Sequence, residues 1–163
     1  MLLGCTNETP HIAALPENAI ILAFGDSLTY GTSASRNETF PALLQQLSGR
    51  TVINAGVPGE VSKTGTERLP EVLDKYEPDL LILCHGGNDM LRKKNGQQML
   101  ANLRTMITEA RSRQIPVILI SIPKPTIFLS SADGYNQLAK EFNIPIEDQI
   151  LADILSDNSL KSD

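Results

Sequence analysis

The sequence predicts a three-layer α/β/α sandwich around a central parallel sheet, and three observations carry that expectation. Short runs of Ile, Leu and Val alternate with longer amphipathic stretches along the 163 residues. The runs are nearly uninterrupted by polar residues, the pattern of strands that helices cover on both faces. With 41% hydrophobic residues the chain can bury one ordinary core, and neither a composition shift nor an internal repeat marks a second domain.

The elements follow in order. Residues 1–18 read as a polar N-terminal tether, and residues 19–163 as the folded domain. Ala19 to Phe24 is the first strand, followed by a helix over 40–48 and a second strand over 51–54. A helix over 64–75 comes next, with Ser62 as its cap and Pro78 separating it from a third strand over 79–84. In the segment 97–113, Leu100, Leu103, Met106, Ile107 and Ala110 recur at helical spacing and mark a core face. Pro116 closes that helix before a fourth strand over 116–121. Helices over 132–142 and 147–155 complete the chain, with a weak strand signal at Ile144-Pro145-Ile146 between them.

In a parallel α/β sheet, ligands bind in the crevice beyond the carboxyl ends of the strands. Ser27 in Gly25-Asp26-Ser27-Leu28-Thr29 follows the first strand, Gly59 the second, and Asn88 in Gly86-Gly87-Asn88-Asp89 the third. The topology therefore brings all three to one edge. A serine hydroxyl attacks a carbonyl only when a base takes its proton, and the resulting oxyanion needs donors already aimed at it. Glycine at 59 permits close backbone approach, and Asn88 supplies a neutral N–H that does not titrate.

These blocks resemble the SGNH hydrolases of the GDSL esterase/lipase family. Asn54-Ala55-Gly56 leading into the second block strengthens the likeness, which runs from about Ala19 to Asp163. It is nearest to the small bacterial branch of thioesterase I/lysophospholipase L1 and the arylesterases. The resemblance implies that Ser27 is the nucleophile and that the backbone N–H groups of Ser27 and Gly59, with the Asn88 amide, form the oxyanion hole. It implies hydrolysis of acyl or aryl esters or thioesters through an acyl-enzyme. Asp26 and Asp89 are expected to support the loops, and Glu60-Val61-Ser62 to shape the oxyanion loop. The family's fourth block, Asp-x-x-His, is matched only by its aspartate, Asp163. Its histidine is expected three positions further on, and without it the chain as written would keep the site's shape but lose most turnover.

Only two histidines, His11 and His85, are present, and neither stands in that pattern. His85 is either a surrogate base or, as the resemblance suggests, a structural residue beneath the oxyanion loop. Two further readings of function stay open: an O-deacetylase of acetylated sugars, and a non-catalytic module that holds a lipid or glycan. A flavodoxin-like or receiver domain fits the strand rhythm but leaves Gly59 and Asn88 without a role.

Several classes are excluded. The net charge of −5 argues against a nucleic-acid partner, and the short Arg92-Lys93-Lys94 run reads as a solvated turn. Ser27 lacks the G-x-S-x-G elbow of α/β-hydrolases. Dinucleotide and phosphate-loop motifs are missing, and two isolated histidines with two separated cysteines give no metal-ligand spacing, so no cofactor is expected. Cys84 ends an apolar run and reads as a small buried hydrophobe. Leu2-Leu3-Gly4-Cys5 resembles a bacterial lipobox, which makes Cys5 a lipidation candidate and the bacterial envelope or periplasm the expected location. Only four residues precede Cys5, shorter than a signal peptide. Tyr135 and Phe128 are expected to pack, and the partner is a small-molecule ester or thioester.

Overall fold

The computed structural model describes residues 10–123 and 133–157, so Cys5, Phe128 and Asp163 lie outside the described residues. Five parallel strands form one sheet: β1 (Ile20–Gly25), β2 (Thr51–Gly56), β3 (Leu80–Cys84), β4 (Val117–Ile120) and β5 (Ile146–Glu147), in the order β2-β1-β3-β4-β5. Phe24 stands opposite Ala55 on one side and Leu83 on the other, so the first three strands end level with one another. The connections after β1 and β3 leave in opposite directions across the sheet, and this reversal of strand order opens the crevice.

The helices are α1 (Ser27–Tyr30), α2 (Phe40–Ser48), α3 (Ser62–Tyr76), α4 (Gly87–Leu91), α5 (Gly96–Ser112), α6 (Asp133–Phe142) and α7 (Ile150–Ser156). Side chains alternate across β1 and β3, so each face of the sheet has its own core. Leu22, Phe24, Leu81 and Leu83 pack with Leu69 and Leu73 of α3, Leu103 and Ile107 of α5, and Leu138 of α6. Ile21, Leu80 and Ile82 pack on the other face against Phe40 and Leu44 of α2, with Ile12 and Leu15 from the N-terminal segment. The described part of that segment is pinned: the Arg50 guanidinium donates to the Leu15 carbonyl at 2.7 Å and the Pro16 carbonyl at 3.0 Å.

Local signals fix most boundaries. Thr39 accepts from the Ala42 N–H at the start of α2, and Asn95 accepts from the Gln97 and Gln98 N–H groups at the start of α5. One boundary departs from expectation. Ser62 does not cap α3; it is the first residue of that helix, and Val61 in the cap position gives no side-chain bond. The free N-terminal donor is met by Asp89 instead, whose Oδ2 accepts from the Ser62 N–H at 2.7 Å. The single-turn helices α1 and α4 also went unanticipated, because one turn has no apolar periodicity to read.

Candidate active site

Strand β1 delivers Ser27 to the crevice through a tight bend. A Cβ on Gly25 would stand 2.0 Å from the Cys84 carbonyl oxygen and 2.3 Å from Thr29 Oγ1, so only glycine lets α1 turn across the end of β3. Asp26 caps the turn, its Oδ1 accepting from the Leu28 N–H at 3.1 Å. Ser27, half-buried, is the first residue of α1.

The other two residues singled out by the sequence, Gly59 and Asn88, follow β2 and β3. Gly59 has φ of +77°, a left-handed conformation that glycine adopts without strain. Arg92 Nη2 donates to the Gly59 carbonyl at 2.8 Å, and Asn88 Nδ2 donates to the Glu60 carbonyl at 3.1 Å. The two loops are thus tied together, with the Gly59 peptide between their fastenings. An Asn amide carries two N–H donors; here one meets the Glu60 carbonyl, and the amide also lowers the nearby Asp26 carboxyl.

Glu60 is the anchor of this loop. Its buried carboxylate takes a bidentate bond from Arg68, at 2.9 Å from Nε and 2.7 Å from Nη2, and contacts His85 Nε2 at 3.1 Å. Arg68 also donates to the Ala55 carbonyl at 3.1 Å and lies 4.1 Å above the Phe24 ring centroid. Burial acts to raise the Glu60 carboxyl, but the hydrogen bonds from His85 and Arg68 outweigh it and hold the group below the usual carboxylate value of 4.5.

His85 is fully buried with both ring nitrogens engaged. Nδ1 accepts from the Gly86 N–H at 2.9 Å, which leaves the proton on Nε2 facing Glu60. A base for Ser27 needs a free nitrogen directed at the hydroxyl, and His85 has none. His11 is exposed and borders a cleft with Pro116 and Pro145, where β4 and β5 begin, at the sheet edge opposite Ser27. Neither of these histidines can be the base.

Asp26 and Asp89 flank the functional candidates and are both buried, yet their situations differ. Both Asp89 oxygens are satisfied by Ser62, through its N–H at 2.7 Å and its hydroxyl at 2.8 Å, and the Asn102 amide donates in turn to Ser62 Oγ at 2.9 Å. Asp26 Oδ2 makes no hydrogen bond of good geometry among the described residues, although the Asn88 amide and backbone N–H lie near enough to lower its carboxyl. Burial raises the Asp26 carboxyl above its ordinary 3.8 by more than the Leu28 N–H lowers it. Beneath them, burial pushes the Cys84 thiol up to about 12, so Cys84 is an inert core group. Tyr135 is fully buried and packs, its hydroxyl donating to the His85 carbonyl at 2.7 Å.

Ser27 and Asn88 line one cavity of about 370 Å³ whose walls are Leu28, Met90, Leu91, Ile122, Pro123 and Leu155. Its polar groups, Asp26, Ser27 and Asn88, gather at one place against these apolar walls. Gly59 is not among the residues lining it; its neighbour Glu60 accepts from the Asn88 amide through the backbone carbonyl. Among the described residues no cluster of three or more His, Cys, Asp or Glu could hold a metal ion. Sequence reasoning did not single out Arg68, Arg92 or Tyr135 for the support they give here. Each acts from an element remote in sequence, and no short motif reports such a contact.

The fold is a parallel α/β sandwich that presents a serine on the turn after its first strand and an asparagine after its third at one end of the sheet. The sequence profile of the GDSL-like lipase/acylhydrolase family matches residues 23–152, and the chain belongs to that family. It is 32% identical over 133 residues to thioesterase 1/protease 1/lysophospholipase L1 of Escherichia coli (strain K12), covering 77% of this chain and 64% of that protein. It is 32% identical over 118 residues to an arylesterase of Vibrio mimicus, covering 69% of this chain and 59% of the relative. The chain therefore spans a little under two thirds of the length of these curated relatives. Among solved structures, AlinE4, an SGNH-hydrolase family esterase, superposes with a TM-score of 0.80 at 30% identity, over 91% of this chain and 85% of that one.

Proposed function

We propose that this chain carries the nucleophile and oxyanion hole of a serine esterase that cleaves carboxylic esters or thioesters. The observation that carries the reading is the shared cavity, in which Ser27 and Asn88 meet apolar walls. Ser27 Oγ attacks the acyl carbonyl, and the carbonyl oxygen becomes an oxyanion. The backbone N–H groups of Ser27 and Gly59 and the Asn88 amide stabilise it. Collapse expels the alcohol or thiol and leaves an acyl-enzyme, which water then hydrolyses. The relatives named above, a thioesterase and an arylesterase, support ester and thioester substrates.

A base takes the Ser27 proton as this attack proceeds, and neither His11 nor His85 is placed to serve as that base. Apolar walls favour an acyl or aryl group over an acetylated sugar, so esterase is preferred to O-deacetylase. Cys5 as a lipid anchor in the bacterial envelope belongs to the same reading, and radiolabelled palmitate incorporation that disappears in Cys5→Ala would support it.

The test is hydrolysis of p-nitrophenyl butyrate and butyryl-thiocholine by the protein expressed from its complete reading frame. Turnover lost in Ser27→Ala is the expected result. Undiminished turnover in Ser27→Ala would refute the assignment.

A further inference from the structure

Around the cavity, large apolar side chains remain open to solvent. Leu28 and Leu91, which wall it, are 37% and 68% exposed, and Tyr30 and Val57 on the same sheet edge are 52% and 38% exposed. Such a group rimming a pocket marks a surface that meets something apolar.

The charge beside it runs against that of the whole chain. The net charge is −5, yet no acidic residue occurs from Met90 to Thr108, and Arg92, Lys93 and Lys94 follow Leu91 directly. All three cations are exposed. Lys93 and Lys94 have no ion pair among the described residues, whereas Arg104 further along pairs with Glu141 at 2.7 Å. Of the acids around the cavity, Glu60 and Asp89 are buried and held by Arg68 and Ser62, Asp26 is buried, and Asp153 on α7 and Asp157 at its end stand exposed to either side of Leu155.

The segment is also rigidly presented. Lys93 has φ of +50°, a left-handed conformation uncommon for a long side chain. It is held there by backbone bonds from the Lys93 N–H to Met90 and from the Lys94 N–H to Asp89, at 3.0 and 2.8 Å. Leu91 and the cations therefore project from a fixed turn next to the cavity mouth.

We propose that this edge docks on an anionic phospholipid surface, with Leu91 entering the boundary of the acyl chains and Lys93 and Lys94 against the headgroups. Apolar burial and cationic attraction act together in such binding, and neither alone holds a protein firmly. The cavity mouth then faces the lipid layer, from which an apolar acyl group can pass to Ser27. Docking needs no hydrolysis, so it is separable from the esterase reading.

The experiment is co-sedimentation of the full chain, as Ser27→Ala and without any lipid modification, with vesicles of phosphatidylcholine or of phosphatidylcholine with 30% phosphatidylglycerol, about 0.1 M salt being present. Binding is expected to the anionic vesicles and to weaken at high salt. The K93E/K94E variant should bind at least about tenfold more weakly. In the Ser27 protein the same double change should leave hydrolysis of a soluble short-chain ester as it is. Leu91→Ser should also reduce binding, because the apolar contact is lost. Equal binding to neutral and anionic vesicles, no binding to either, or parental binding by K93E/K94E or by Leu91→Ser would overturn the proposal.

Discussion

The carboxylate of Asp89 in α4 caps helix α3, accepting the Ser62 N–H at 2.7 Å on one oxygen and the Ser62 hydroxyl at 2.8 Å on the other. This pair joins α4, which carries Asn88, to the helix that follows the Gly59 loop, so it sets the spacing between the two proposed oxyanion donors.

Replacing Asp89 with Ala leaves two buried Ser62 donors without their acceptor. The expected cost is about 1–3 kcal/mol, read as a lower midpoint in urea with an unchanged slope. Asp89→Asn keeps one acceptor oxygen and should lose less. Equal stability of Asp89→Ala and the parent would remove the cap from the account.

Asn88→Ala deletes the proposed oxyanion donor and the tie to the Glu60 carbonyl. Turnover on a soluble ester should fall by about 10²–10³, with KM changing far less. If activity stayed within about threefold of the parent, Asn88 would have no part in the oxyanion hole.

The Glu60 carboxyl is held below 4.5 by His85 and Arg68 against the opposing effect of burial. A depressed folded-state value contributes stability that is present above the unfolded value and lost as pH falls through the folded one. The stability difference between the parent and Glu60→Gln should therefore be largest at neutral pH and shrink on acidification below about 4.5. Urea midpoints taken across that range would show it, and a difference independent of pH would contradict it.

Asp26 has the opposite sign. Its folded-state value lies above 3.8, so its ionisation works against folding as pH rises through that value. Asp26→Asn keeps an acceptor for the Leu28 N–H and cannot ionise. Relative to the parent, it should gain stability as pH rises from 3.8 toward neutrality, as thermal midpoints would register. A constant offset between the two proteins would contradict this origin.

Much of this arrangement is legible in the sequence where physics is local. Val117-Ile118-Leu119-Ile120 and Leu80-Leu81-Ile82-Leu83 read directly as strands because buried parallel strands are apolar on both faces. Ser27 and Asn88 are found because each follows such a run, and strand direction alone brings them to one edge. What escapes is non-local. Ser62 has the composition of a cap, yet its helix is capped by Asp89, 27 residues later. The clamp of Arg68 and His85 on Glu60 joins α3 and the end of β3 to the Gly59 loop, and nothing in the intervening residues announces it.

The central claim is that Ser27 is a nucleophile, and it is tested most directly by the intact mass of the protein, expressed from its complete reading frame, before and after incubation with a fluorophosphonate. The account predicts one stoichiometric adduct on the parent and none on Ser27→Ala. An unmodified parent, or an adduct that persists in Ser27→Ala, would contradict it.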